Sequence, residues 1–247
     1  MKNNLRLLIY TALMTAFVFI TTSLIKIPIP FTNGYIHAGD MSIFIAGILL
    51  GPLHAAFAAG VGSALADFLG GYAHWVLPTL IIKSFMGFLI GYLSRPTTKT
   101  KPYLVGAISI WVVALAVFII AITQTGVDQI GILMELPTTE EALKLVESIR
   151  GQLLSVLLGF PVLSLLFWYF KRHFKLSMNQ LISMIISGIW MVLGYFIAGG
   201  LMYGNFLTSI FSIPWNIVQF GVGGILAFLV IKALDKANIN YDRLNHQ

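Results

Sequence analysis

AGDMSIFIAGILLGPLHAAFAAGVGSALADFLG, residues 38–70, is apolar almost throughout, longer than one membrane crossing, and carries Gly51-Pro52 near its middle. A bilayer core takes about 20 apolar residues per helix. Proline lacks a backbone donor and restricts the residue before it, so the spacing predicts a tight turn at 51–52 between two short helices. Both halves are expected to fall short of a full crossing, so their ends must be buried in protein rather than in lipid. Apolar runs near 5–25 and 76–94 flank this pair, and further runs lie near 103–124, 150–170, 181–203 and 211–234. The count becomes eight, an all-α polytopic membrane helix bundle in a single integral membrane domain over 1–247.

Composition supports the same class. Hydrophobic residues make up 58% of the 247 residues and charged residues 10%, against about 25% charged in soluble domains. Mean hydropathy is +0.89. The absence of cysteine removes disulfides, thiolate metal sites and cysteine nucleophiles from consideration. The net charge of +6 comes from basic residues in short loops between apolar runs, where they report topology rather than nucleic-acid binding. MKNNLRLLIYTALMTAFVFITTSLI (1–25) has the positive start of a signal peptide, but its apolar run is long and no small-x-small cleavage site follows. It is read as a retained first helix.

Placing the N-terminus in the cytoplasm puts Lys2, Arg6, Arg95, Lys99, Lys101, Lys171, Arg172, Lys175, Lys232, Lys236 and Arg243 inside. Only Lys26, Lys144 and Arg150 are left outside. Both termini are then cytoplasmic, with 235–247 as a short solvated tail. The long outer loop at 125–149 carries five acidic residues, and Pro137-Thr138-Thr139-Glu140-Glu141 looks like the start of an amphipathic surface helix.

With this topology, the polar residues of the apolar runs cluster in the outer half. Asp40 opens the second helix, Asp67 closes the third, Tyr72 and Trp75 lie in the loop after it, Thr79 and Lys83 open the fourth, and Asn216 and Gln219 open the last. An ionisable group at bilayer depth costs about 2.5–3.5 kcal/mol on insertion scales, so Asp67 and Lys83 need a reason to be there. Two readings stand: a structural ion pair between them, or the border of an outward-facing pocket. Thr79 and Lys83 share a helix face, as do Asn216 and Gln219. Amides and tryptophan suit a flat heterocycle, which needs stacking on its face and hydrogen bonds at its edge. Tyr72, Trp75 and Trp215 also sit where aromatic belts occur, His37 and His74 read as loop histidines, and Ala56, Gly60, Ser63 and Ala64 read as a close helix-packing face.

Enzyme chemistry finds little purchase. Ser63 lies outside a Gly-x-Ser-x-Gly elbow, His-Glu-x-x-His does not occur, and neither does the Gly-x-x-x-x-Gly-Lys-[Ser/Thr] loop that binds ATP. No cofactor and no metal are expected, and any use of ATP must come from a partner.

IHAGDMSIFIAGILLGP (36–52), GVGSALADFLGGYAHWVLPTLIIKSFMGFLIG (60–91) and GYFIAGGLMYGNFLTSIFSIPWNIVQFGVGGILAFLV (194–230) resemble the substrate-binding S components of energy-coupling factor (ECF) vitamin transporters. Ala12-Leu-Met-Thr-Ala16 is similar to that family's A-x-x-x-A contact for the shared coupling subunit. The resemblance implies a six-helix core that captures a water-soluble vitamin or precursor outside, in a prokaryotic cytoplasmic membrane. It further implies docking to a membrane coupling protein and two ABC-type ATPases, with Ala12 and Ala16 at the contact. The chain departs from a six-helix pattern at 103–170, read as an inserted two-helix hairpin between core segments 1–95 and 176–234.

Substrate contacts are then expected at Asp67, Tyr72, Trp75, Thr79 and Lys83 on one wall and at Asn216 and Gln219 on the other. KIPIPFTNGYIHAGD (26–40) would form a lid. A small heterocycle such as hydroxymethylpyrimidine or a pyridoxine form is the expected ligand. The competing classes are a stand-alone ion-coupled transporter, with Asp67 or Asp40 as coupling carboxylate, and an intramembrane enzyme.

Overall fold

The computed structural model describes residues 2–29, 34–100, 127–133, 138–151 and 177–245, with scattered positions between 102 and 120 and residue 169. Helix α1 (Lys2–Leu24) leads into an antiparallel hairpin of β1 (Ile27–Ile29) and β2 (Gly34–Ile36), with Pro28 opposite Tyr35. Helices α2 (Gly39–Leu50) and α3 (Pro52–Leu69) follow, then a 3-10 turn at Ala73–Trp75 and α4 (Val76–Leu93). Beyond them come α5 (Val127–Leu133), α6 (139–151), α7 (Met178–Met202), α8 (Phe206–Ile210), α9 (Ser212–Lys236) and α10 (Tyr241–Asn245).

The turn expected at 51–52 is present. Gly51 adopts φ +83°, a left-handed conformation that glycine enters without penalty, and Pro52 starts α3, where its missing donor costs nothing. One detail differs from expectation: α3, at 18 residues, is long and apolar enough to cross, and α2 alone is short. Five described helices have spanning length, and α1, α2, α3, α4, α7 and α9 make up the expected six-helix core. The two-helix hairpin expected at 103–170, with its boundaries, lies largely outside the described residues.

The exterior is apolar and the interior holds the charges, the reverse of a soluble protein. Leu13, Phe57, Leu77 and Val222 are exposed, while Asp40 and Lys83 are fully buried and Asp67 is 4% exposed. Lipid tails are as apolar as leucine, so these helices associate by close packing rather than by escape from water. Small residues permit that approach. A Cβ on Gly91 would lie 2.5 Å from the Gly51–Pro52 backbone, which seats α4 against the α2–α3 turn. Gly60, Ser63 and Ala64 are buried on one side of α3, and a Cβ on Gly60 would meet Ser84 of α4 at 1.9 Å. The small-residue series is therefore a packing face.

The two ends of the bundle differ. At one end, Arg95 closes α2 by donating from Nη2 to the carbonyls of Gly47 (2.9 Å) and Ile48 (3.1 Å), and its guanidinium stacks on Tyr241 of α10 at 3.3 Å. This end is sealed by backbone-directed hydrogen bonds. The β1–β2 hairpin, the 70–75 turn and the α7–α8–α9 corner gather at the other end and leave a cleft between them. Helix α6 lies at that corner. Thr138 accepts from the amide of Glu141 (3.2 Å) at its start, Glu140 and Lys144 pair at its surface, and Leu145, Val146 and Ile149 pack with Ile130 onto Ile210 and Phe211. The expected amphipathic surface helix is thus present, with its apolar face on α8.

Candidate functional site

The cleft encloses about 510 Å³ of space between atoms, the open space at its mouth included. Its aromatic wall starts at the 3-10 turn before α4, which tucks Trp75 inward to 7% exposure. Tyr195 of α7 meets the indole edge-on at 5.5 Å, and Tyr203 does so at 6.2 Å. Tyr195, Gly199 and Tyr203 recur four residues apart along α7 and its C-cap, and all three line the cleft. The roof is the β1–β2 hairpin, which contributes Ile29, Gly34 and Tyr35.

Hydrogen bonds lie along the α3–α4 side: Tyr195 donates its hydroxyl proton to Thr79 Oγ1 (3.1 Å), and Tyr35 donates to Asp67 Oδ1 (2.5 Å). Burial first, and the Asp67 charge second, raise the Tyr35 phenol above its ordinary pKa, so it remains a donor. Lys26 holds the hairpin from outside, donating to the Ala66 carbonyl (3.1 Å) while its ammonium lies 4.6 Å from the Tyr35 ring centre and 5.1 Å from that of Tyr72.

The opposite side comes from α8 and α9. Asn216 and Gln219, three residues apart, both point into the cleft and are both 5% exposed. They differ in how they are engaged. Gln219 Nε2 donates to Asp40 Oδ2 (3.0 Å), and its Oε1 accepts from the backbone amide of His37 (2.9 Å). No hydrogen bond of the Asn216 amide is found among the described residues, and Ser209 Oγ and Trp75 Nε1, both fully buried at the cleft, lack a hydrogen-bond partner there. Buried polar groups are normally satisfied, so Ser209 Oγ and Trp75 Nε1, open beside Asn216, are what a polar ligand would complete.

Beneath the cleft lies a fully buried ion pair. Lys83 Nζ bonds Asp40 Oδ1, approaches Met191 Sδ at 2.9 Å and lies 5.4 Å from the Tyr195 ring centre. His37 borders this layer from the loop, accepting at Nδ1 from the amide of Gly39 (3.0 Å). Burial foremost, then the Lys83 charge, lowers its pKa to about 3, so the ring is neutral.

Of the seven residues expected from the sequence, Asp67, Trp75, Thr79, Asn216 and Gln219 line the cleft. Tyr72 does not: its ring lies against that of Tyr35, centres 4.5 Å apart and planes tilted by 47°. Lys83 is also absent from the wall, and the expected Asp67–Lys83 pairing is replaced by Asp40–Lys83, because the start of α2 lies opposite Lys83 whereas Asp67 is engaged by Tyr35. His37 lines the cleft although it read as an ordinary loop histidine. Sequence reasoning missed Tyr35, Tyr195, Tyr203, Ser209 and Ser212. The four-residue spacing on α7 was a usable signal for two of them; hairpin and corner residues carry no periodicity. Ala12 and Ala16 are both exposed on α1, the least buried of the five long helices. Among the described residues, no group of three His, Cys, Asp or Glu side chains is arranged to hold a metal.

The family model described as "ECF-type riboflavin transporter, S component" matches residues 2–168 and 151–236. A protein of Pyrococcus woesei, described as "Uncharacterized protein in gap 3'region", is 46% identical over 91 residues, which cover 37% of this chain and 61% of that protein. The chain thus spans less than two thirds of that relative's length. No solved structure matches the chain.

Proposed function

Because this chain belongs to the family of ECF-type riboflavin transporter S components, and is accordingly a multi-pass membrane protein of vitamin transport, we propose that the cleft is where it captures its substrate from outside. The ligand is a flat heterocyclic vitamin, stacked against the Trp75–Tyr195–Tyr203 wall and hydrogen-bonded at its edge by Asn216. Riboflavin is the first candidate, since the family carries its name; a smaller ring such as a pyridoxine or hydroxymethylpyrimidine form also suits the amide and aromatic groups. Delivery inward requires a membrane coupling protein and two ABC-type ATPases. Ala12 and Ala16 provide the contact, where small exposed residues let a partner helix approach, release and return.

The observation that carries this reading is the open amide of Asn216 beside a cluster of rings, at an end of the bundle where every nearby charge is already engaged by protein groups. Native mass spectrometry of the chain purified from rich medium tests it. A retained vitamin-sized mass, lost in Asn216→Ala, supports capture; empty protein that also takes up none of the three vitamins at micromolar concentration rejects it. Ala16→Trp separates capture from coupling, since binding by the isolated chain should survive while uptake with the partner module is lost.

A further inference from the structure

The directions of the hydrogen bonds around the cleft determine what it can accept. Tyr195 donates to Thr79 and Tyr35 donates to Asp67, so the hydroxyl protons on this side are already directed at protein acceptors. The phenol and carboxylate oxygens keep lone pairs for a ligand, since an ionised carboxylate has about four acceptor positions and Tyr35 fills one of them. This side of the cleft is a surface of acceptors.

It also has a sign. Among the described lining residues, Asp67 is the one formally charged side chain, His37 being neutral. The nearby cations are engaged elsewhere. Lys83 is fully buried on Asp40, below the wall. Lys26 stands at the rim, bonded to the Ala66 carbonyl and set against the faces of Tyr35 and Tyr72 rather than into the cleft. An anionic ligand would therefore face a carboxylate with no cation on the wall to offset it, and like charges brought together are strongly disfavoured.

We propose that the cleft selects the uncharged, hydroxyl-bearing form of its heterocyclic ligand and rejects the phosphate ester, with Asp67 as the residue that sets this choice. Hydroxyl groups of the ligand donate to the free lone pairs of Asp67, while the ring's edge pairs with Asn216 and Ser209 on the opposite wall. The inference rests on the capture reading and adds to it the charge state of what is captured.

The test is a set of titrations on the full chain in lipid nanodiscs, using three alcohol–phosphate pairs: riboflavin and riboflavin 5'-phosphate, pyridoxine and its 5'-phosphate, and hydroxymethylpyrimidine and its monophosphate. In any pair that binds, the alcohol should be tighter by about tenfold or more. Asp67→Asn keeps the shape and removes the charge, so it should shrink that ratio at least about threefold. A phosphate ester that binds the wild-type chain as tightly as its alcohol overturns the selectivity while leaving capture intact. An unchanged ratio in Asp67→Asn overturns the role of Asp67. If that variant does not fold, the wild-type ratio and Lys26→Gln decide: the proposal expects the discrimination of about tenfold to stay unchanged in Lys26→Gln, whereas ester binding that weakens selectively in that variant would show that Lys26 recruits phosphate and overturn it. No binding by any of the six compounds removes the capture reading and this inference with it.

Discussion

Lys83 pairs with Asp40 across the α4–α2 contact, and both side chains are fully buried. The pair joins two helices, and through Gln219 it reaches a third, because the second carboxylate oxygen of Asp40 accepts from the Gln219 amide. Breaking a buried pair by removing one partner costs about 3–5 kcal/mol, since the other charge stays behind without compensation, whereas replacing both is often neutral. Lys83→Met should therefore lower thermal stability strongly, and the double variant Lys83→Met with Asp40→Asn should recover most of the loss. Equal melting temperatures for the single and double variants would mean that the pair is not what the interior relies on.

Asn216 and Gln219 share a face and differ in engagement, which makes their alanine variants separable. Asn216→Ala removes a group with no described partner, so stability should stay within about 0.5 kcal/mol while ligand affinity falls by about tenfold. Gln219→Ala strips a partner from both Asp40 and the His37 amide, and should cost about 1–3 kcal/mol of stability in addition to affinity. Calorimetric melting alongside ligand titration checks both. Similar stability losses in the two variants would contradict the distinction.

His37 makes stability depend on acidity. Its folded pKa lies near 3, below the ordinary 6.5, so between those values the unfolded chain binds the proton and the folded chain does not. Stability then rises with pH through this window, is fully present above about 6.5, and declines as pH falls toward 3. The groups that face it act in both directions, Lys83 and Lys26 opposing protonation and Asp40 favouring it. His37→Gln should flatten the profile of melting temperature against pH between about 4 and 6.5, with little change at pH 7.5. A variant that loses stability equally at both ends would reject the titration.

The α6 face on the α7–α8–α9 corner supports the site indirectly. Ile149 is 1% exposed and packs with Leu145, Val146 and Ile130 against Ile210 and Phe211, next to the cleft residues Ser209 and Ser212. Ile149→Asp places a charge in that cluster and should release α6 from the corner. Protease cleavage within 139–151 should accelerate and ligand dissociation should quicken by about threefold to tenfold, while the six-helix core stays folded. Unchanged proteolysis would show that this face does not hold α6 in place.

Length and hydropathy determined the class of this protein, its core crossings and the turn at 51–52, because a bilayer imposes one length on every span and proline interrupts a helix wherever it falls. The helix-face rule likewise brought Asn216 and Gln219 together, and the concentration of polar residues at one end was visible before any coordinates. Only the tertiary structure decided which carboxylate meets Lys83. Asp40 and Asp67 are both helix-end acids at similar expected depth, and the choice depends on which helix faces α4 at that level, set by glycine contacts such as Gly91 against the α2–α3 turn. The roof was equally beyond sequence reading: Tyr35 and His37 belong to a short hairpin whose position comes from long-range hydrogen bonds to Asp67 and Gln219. Local periodicity orients a residue on its own helix, and a site assembled from loop and helix ends is defined by contacts between elements that no single stretch encodes.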